Sequence, residues 1–397
     1  MKGKLLLALC LLLLLSSLSY ARFGQTELKA SGASLPIHVL NTGLNYSTIQ
    51  DAINANETLD GDTVKVDPGI YYESFVVNKS LTLIGGDRNT TIIDGNGTGL
   101  PTWGGKAHAI ISLGSNNISL VNFTVRNAGS NNVMSGHYDA CVSCIGQSNI
   151  DLENNTLQNA GAGFICGSAS PNTGVSSIII NDNLIFNTTG LAIDVGGGAA
   201  TNVTITNNIV YNATQLGAIN LDGDQSNCTV SNNTVVGCYL GIGIGPNIAT
   251  GICPANFTVS DNFVQDCSTV GIGLYGDTQN STVLNNTVEN CSYGIWLGES
   301  DTYLAPYDNL IEGNVLSNNN WTNLVYLGQT DIGDTQATYT NTFRGNNLTN
   351  TQDSNLQVWG WNVGTFMQDI DTSNIANNQK IYYLTNLSNV NVDPSNL

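Results

Sequence analysis

Charge is scarce in this 397-residue chain: Asp, Glu, Lys and Arg together make up 10% of it, with 11 basic residues against 30 acidic ones. A formal net charge of −19 repels phosphate backbones and anionic headgroups, so nucleic acid is excluded as a partner. Three methionines and three histidines, His38, His108 and His137, stand too far apart to form the soft clusters that copper handling needs. The residues that helical proteins lean on (Ala, Glu, Lys, Leu, Arg) give way to Asn, Thr, Gly, Val and Ile, which favour strands and tight turns. With 43 glycines and 41% hydrophobic residues, the composition reads as all-β.

The first residues, MKGKLLLALCLLLLLSSLSYA, carry a basic start at Lys2 and Lys4, an apolar run from Leu5 to Leu15 and a small-residue exit at Ala21. That is the pattern of a secretion signal over residues 1–21. The apolar run is too short to span a bilayer, and the five leucines directly after Cys10 argue against a lipoprotein cleavage site. A secreted or cell-surface location is expected. Eight cysteines then remain: Cys141, Cys144, Cys166, Cys228, Cys238, Cys253, Cys267 and Cys291. An even number in an exported chain makes all of them disulfide candidates. The sequon Asn-x-Ser/Thr recurs about twenty times, which agrees with an exported glycoprotein, although an Asn-Thr turn motif creates sequons for structural reasons alone.

From Asn116 the chain repeats itself: NNISLVNFTVRN, SNIDLENNTLQN, SSIIINDNLIFN, TNVTITNNIVYN, SNCTVSNNTVVG and so on to NTFRGNNLTN. Apolar residues alternate on either side of a central Asn, giving two short strands joined by a tight turn. A third strand follows each copy, as in GLAIDVGG, GAINLDGD, GIGLYGD and GIWLGES. Three strands per coil predict a right-handed parallel β-helix of about ten to twelve coils. Stacked coils lie about 4.8 Å apart, so equivalent asparagines would bond up and down as a ladder. The predicted ladder is Asn155, Asn183, Asn208, Asn233, Asn262, Asn286, Asn314 and Asn347, with Asn122 as the equivalent residue of the coil before.

Ahead of the repeats, residues 22–36 read as a linker and 37–62 as an N-terminal cap. In the cap, Ser47 and Gln50 form a capping-box pattern, and Ile49, Ala52 and Ile53 share one face of a short helix covering the open end of the stack. The β-helix then occupies 63–397. Its last residues, YYLTNLSNVNVDPSNL, show no capping helix, so a truncated C-terminal end is expected, with any membrane anchoring confined to a missing C-terminal region.

The opening from Ser47-Thr-Ile-Gln-Asp-Ala-Ile through Gly69-Ile-Tyr-Tyr-Glu73, then Asn78-Lys-Ser-Leu-Thr-Leu-Ile-Gly85 and Thr91-Ile-Ile-Asp-Gly-Asn96, resembles archaeal and bacterial NosD-type β-helix surface proteins. So do the repeats and the segment from Asp369 to Leu384, which brings nearly the whole mature chain under the resemblance. It implies the β-helix fold and a superfamily that mixes sugar-binding proteins, hydrolases, lyases and epimerases. It also implies the periplasmic copper-site maturation role of the founding members, which the few His and Met residues disfavour.

Enzymes on this fold use clustered carboxylates, often with calcium and a basic residue. Pectin methylesterases share the Gly69-x-Tyr71-x-Glu73 opening, but their catalytic blocks are absent, and Gly136-His137-Tyr138 stands in for the Gly-His-Gly of polygalacturonases. Arg126 and Arg344 fall in turns, where a solvated role is expected. No catalytic residue and no metal ligand is therefore assigned. Asp222-Gly-Asp224 supplies two carboxylates for calcium, short of a full ligand set, and no other cofactor is implied. Aligning the third strands instead gathers Asp194, Asn220, Asp222, Asp224, Tyr275, Asp277, Trp296, Tyr326 and Trp359 on one outward face. Aromatic platforms mixed with Asp and Asn suit a glycan-binding strip, because a sugar ring stacks on an aromatic face while carboxylates and amides bond its hydroxyls. Stacked aromatics also stabilise neighbouring coils without any ligand. The sequence reading is a non-catalytic, glycosylated surface scaffold or adhesin whose partners are glycans or other surface proteins. A polysaccharide lyase, hydrolase or epimerase is the alternative.

Overall fold

The computed structural model describes residues 35–96, 102–103, 107–130, 138–167, 174–246, 254–298, 305–328, 340–360 and 363–385. The signal-like segment, Cys253 and the last twelve residues lie outside the described residues. Short strands collect into three sheets of 14, 13 and 12 strands. Successive segments pass from one sheet to the next, so Ala200–Thr206, Ile209–Ala213 and Gly217–Asp222 form one coil, and each pairs in parallel with its equivalent one coil on. The result is a right-handed parallel β-helix. One helix of ordinary α geometry is described, Ile49–Asn54, capped by the Thr48 side chain on the Asp51 N–H and burying Ile49, Ala52 and Ile53.

Why the chain folds this way follows from its alternation. In Ala200–Thr206, Val203 and Ile205 point inward and are 1% and 0% exposed, while Thr204 stands outward opposite Thr229 of the next coil. Inward Ile, Val and Leu stack coil upon coil into one continuous core, and each such side chain contributes roughly 1.5–3 kcal/mol of burial. The corners are made by residues with positive φ: Asn154 (52°), Asp182 (56°), Asn207 (57°), Asn232 (55°), Asp261 (57°) and Asn285 (55°). Asn and Asp visit this region at little cost.

Turning the chain at those residues aims the next side chain into the bend, and there the asparagine ladder forms. Asn183 donates to Asn208, Asn208 to Asn233, Asn233 to Asn262 and Asn286 to Asn314, each at 3.0 Å. Asn155 joins Asn183 at 3.2 Å and Asn262 joins Asn286 at 2.9 Å. Two details differ from the sequence expectation. The ladder passes from Asn314 to Asn346 and on to Asn374, at 3.0 and 2.8 Å, rather than to Asn347. Gly345 takes the positive-φ corner of that coil (60°), so the bend points Asn346 inward and Asn347 falls in the following strand. At the other end, Phe123 holds the equivalent place and its N–H donates to Asn155 at 3.0 Å. Asn122 is the left-handed corner residue (φ 67°) and accepts instead from Asn154 at 2.7 Å.

The cysteines are part of the core. Cys141, Cys144, Cys166, Cys228, Cys238, Cys267 and Cys291 are all buried free thiols, contrary to the disulfide expectation. Cys144 faces Cys166 across neighbouring coils, whereas Cys228 stands beside Phe257. Elsewhere in the stack the register partners of these thiols are core apolar residues, Leu113 for Cys144 and Val195 for Cys166, and a thiol packs among them as a small hydrophobe. Burial pushes the Cys141 thiol up to about 12 and the Cys228 thiol to about 11.

Candidate functional site

The outward face of the 12-stranded sheet carries two columns of side chains. In the first, Asp194 lies opposite Asn220, Asn220 opposite Gly243, Gly243 opposite Gly273, and Gly273 opposite Trp296. In the second, Gly196 lies opposite Asp222, Asp222 opposite Gly245, Tyr275 opposite Gly298, and Leu327 opposite both Gly298 and Trp359. The glycines form a floor on which neighbouring rings lie flat. A Cβ at Gly273 would meet the Tyr275 ring at 2.5 Å, and one at Gly298 would meet the Trp296 indole nitrogen at 2.1 Å.

At the acidic end, Asn220 Nδ2 donates to Asp194 Oδ1 at 2.9 Å, and the Gly197 N–H donates to Asp222 Oδ1 at 3.2 Å. Burial, reinforced by the Asp222 charge and opposed by the Asn220 bond, raises the Asp194 carboxyl to about 8. Asp222 is raised as well by burial, against the Gly197 N–H. Asp224 and Asp277, both half-buried, follow at the corner. Among the described residues no group of three or more His, Cys, Asp and Glu side chains is gathered to hold a metal ion.

Two coils away the face opens into a shallow cleft of about 460 Å³, walled by Tyr275, Tyr293, Trp296 and Trp321, with Ser268, Thr269, Val270 and Ser292 along its edge. Tyr293 meets Trp296 edge-to-face, with ring centres 4.8 Å apart and planes at 73°, and stacks with Trp321 at 6.4 Å and 22°. Trp321 is 57% exposed. Ser292 Oγ donates to the Ser268 carbonyl at 2.8 Å and Thr269 Oγ1 to the Tyr239 carbonyl at 2.6 Å, which leaves each hydroxyl oxygen free to accept. Among the described residues no Lys or Arg lines the cleft.

Of the residues singled out from sequence, Asp194, Asn220, Asp222, Tyr275 and Trp296 share this face in the expected columns. Tyr326 does not. Thr322–Gly328 pairs so that Val325 stands beside Trp296 and Tyr326 beside the inward Leu297; Tyr326 is 0% exposed and belongs to the core. Trp359, 67% exposed, continues the second column two coils beyond Trp296. Tyr293 and Trp321 escaped the sequence reading because they stand where the third strand begins, and the alignment was anchored on the inward Ile and Leu residues further along. Their signal was the aromatic residue two or three positions before each such core residue.

Arg126 is held within the protein: its Nε meets Asp94 Oδ2 at 2.7 Å, and Asn127 donates to the other carboxylate oxygen at 2.9 Å. Arg344 bonds the Asp369 carbonyl at 2.9 Å and lies 3.4 Å from the Asp371 carboxylate. Neither is the freely solvated residue expected from its turn position.

Residues 202–379 match the family model described as a right handed beta helix region. A cell surface glycoprotein of Methanothermus fervidus is 30% identical over 102 residues, a stretch equal to 26% of this chain and 15% of that protein. Among solved structures, a family 28 exopolygalacturonase of Yersinia enterocolitica superposes with a TM-score of 0.53 at 12% identity, over 81% of this chain and 74% of that one. The catalytic domain of a GH87 α-1,3-glucanase in complex with nigerose gives 0.50 at 13% identity, over 76% and 64%. At such identities the likeness is one of fold alone.

Proposed function

We propose that this chain is an extracellular β-helix surface protein whose aromatic cleft binds neutral glycans without cleaving them. The observation that carries the reading is the set of Tyr293, Trp296 and Trp321 rings around an open cleft beside a glycine floor. Sugar rings stack on such faces, and the hydroxyls at the rim and the Asn220 and Asp222 groups further along the strip suit sugar hydroxyls. A cleft with no Lys or Arg among its described lining residues, in a chain of net charge −19, favours neutral sugars over uronates. The signal-like N-terminus and the likeness to a cell surface glycoprotein support an extracellular setting, in which the rigid stack acts as a scaffold or adhesin.

A second reading, as a polysaccharide-active enzyme, follows from the placing of Asp194 and Asp222 on neighbouring coils of one face, with burial raising the Asp194 carboxyl to about 8, the direction a general acid needs. A glycan array coupled to a turnover screen, with and without calcium, separates the two. Binding without product, lost in Trp296→Ala/Trp321→Ala, supports the surface protein. Product formation abolished by Asp194→Asn assigns the enzyme.

A further inference from the structure

The sequons are sorted by the fold. None of the sequon asparagines lies in a strand of the 12-stranded sheet, although that sheet and its loops hold other asparagines such as Asn220, Asn323 and Asn355. Nor does any ladder residue from Asn155 to Asn374 begin a sequon. The sequons gather instead at the corners, most regularly where the chain enters the 14-stranded sheet. There Asn202, Asn227, Asn256 and Asn280 occupy four consecutive coils with φ of 57°, 56°, 60° and 50°, and all four are exposed.

We infer that these four asparagines are N-glycosylated, forming one longitudinal column of glycans where the chain enters the 14-stranded sheet. The side-chain amides of Asn202, Asn227 and Asn256 hold no hydrogen bond among the described residues, and Asn280 holds only a long one to its neighbour Gln279 at 3.4 Å. The threonines two positions on, Thr204, Thr229, Thr258 and Thr282, stack in register on the outward face, where an acceptor-site enzyme can read them. Asp at the equivalent corner of the following coil, Asp308 with φ 54°, meets the backbone demand equally well, so the turn alone does not require Asn. By contrast Asn347, also in a sequon, is half-buried, with its Oδ1 buried.

In the transfer, Asn Nδ2 forms a bond to the anomeric carbon of an oligosaccharide carried on a polyprenyl phosphate. The bond from that carbon to the phosphate oxygen breaks, the lipid phosphate leaves with the electron pair, and one amide proton passes to a base of the transferase. The inference rests on the extracellular reading, since that donor and enzyme act at the exported side of a membrane.

Peptide mass spectrometry of the full chain isolated from its native cells tests it, alongside a Thr204→Val/Thr229→Val/Thr258→Val/Thr282→Val variant made in the same cells. The variant removes the sequons and keeps every corner asparagine and its strand propensity. Glycan mass is expected on the peptides containing Asn202, Asn227, Asn256 and Asn280, absent from Asn347. All four additions are lost in the variant, while its β-sheet spectrum and its binding at the cleft persist. An exported chain unmodified at these four positions overturns the inference alone; an unmodified chain retained inside the cell overturns the extracellular reading with it. Modification at Asn347 overturns the accessibility argument.

Discussion

Asn208 donates its Nδ2–H to the Oδ1 of Asn233 at 3.0 Å, and that same oxygen accepts the Asn208 backbone N–H at 2.9 Å. The Asn233 oxygen thus ties Asn208 twice, and the Asn208 amide also reaches the Ile180 carbonyl of the coil before at 2.8 Å. No other residue type offers an amide donor and acceptor on so short a stem.

Truncating the link, Asn208→Ala, strips the buried Ile180 carbonyl of a donor and leaves the Asn183 N–H without its acceptor. Each buried orphan costs about 1–3 kcal/mol, so a destabilisation of about 3–5 kcal/mol is expected. Because each coil touches only its neighbours, amide exchange is expected to quicken first in the coils around Ile180, Asn208 and Asn233, with coils near Ile49 unaffected. Uniform acceleration along the whole chain would contradict this.

Tyr326 and Trp296 separate packing from recognition. Tyr326→Ala empties a fully buried site and is expected to cost about 3–5 kcal/mol in denaturant unfolding. Trp296→Ala, on the outward column, is expected to cost far less while weakening ligand binding. The reverse order of stabilities would place Tyr326 back on the surface.

Stability should fall as pH rises through neutrality. Burial lifts Asp194 from the ordinary carboxylate value of 3.8 to about 8, so the folded chain binds more protons than the unfolded one between those limits. Stability contributed by the neutral carboxyl is complete below pH ~4 and lost progressively toward pH ~8. Asp194→Asn, neutral throughout, is expected to flatten the melting temperature against pH over that window. An unchanged slope would count against a buried, protonated Asp194.

The cysteines should be silent until the protein opens. With Cys141 and Cys228 pushed up to about 12 and 11 by burial, neither thiolate nor access is available at pH 8. Alkylation of the native chain is expected to leave Cys141, Cys144, Cys166, Cys228, Cys238, Cys267 and Cys291 unlabelled, and labelling in denaturant without reductant to modify all seven. Failure of the denatured chain to label at any of these positions would reveal a disulfide there.

Much of this was legible in the chain. The alternation around Val203 and Ile205 and the recurrence of the asparagines gave strands, coils and stacking, because a period of two and a fixed repeat length translate directly into geometry. The ladder was misplaced at Asn347 and Asn122 because two adjacent asparagines, or an Asn-Phe pair, look alike in sequence. Only the backbone φ decides which turns the corner and which points inward. Tyr326 failed for a related reason: a strand alignment shifted by one residue exchanges inside for outside. The cleft was half seen, since Trp296 sits in a regular column, whereas Tyr293 and Trp321 depend on how the chain enters the strand.

The most direct test of the account is calorimetric titration of the glycan selected on the array into wild type, Trp296→Ala and Trp321→Ala, with unfolding measured on the same samples. Each variant is expected to bind at least tenfold more weakly, about 1.4 kcal/mol, with its melting transition nearly unchanged and no product in the cell. Wild-type affinity in both variants would show that the aromatic cleft is not the binding site.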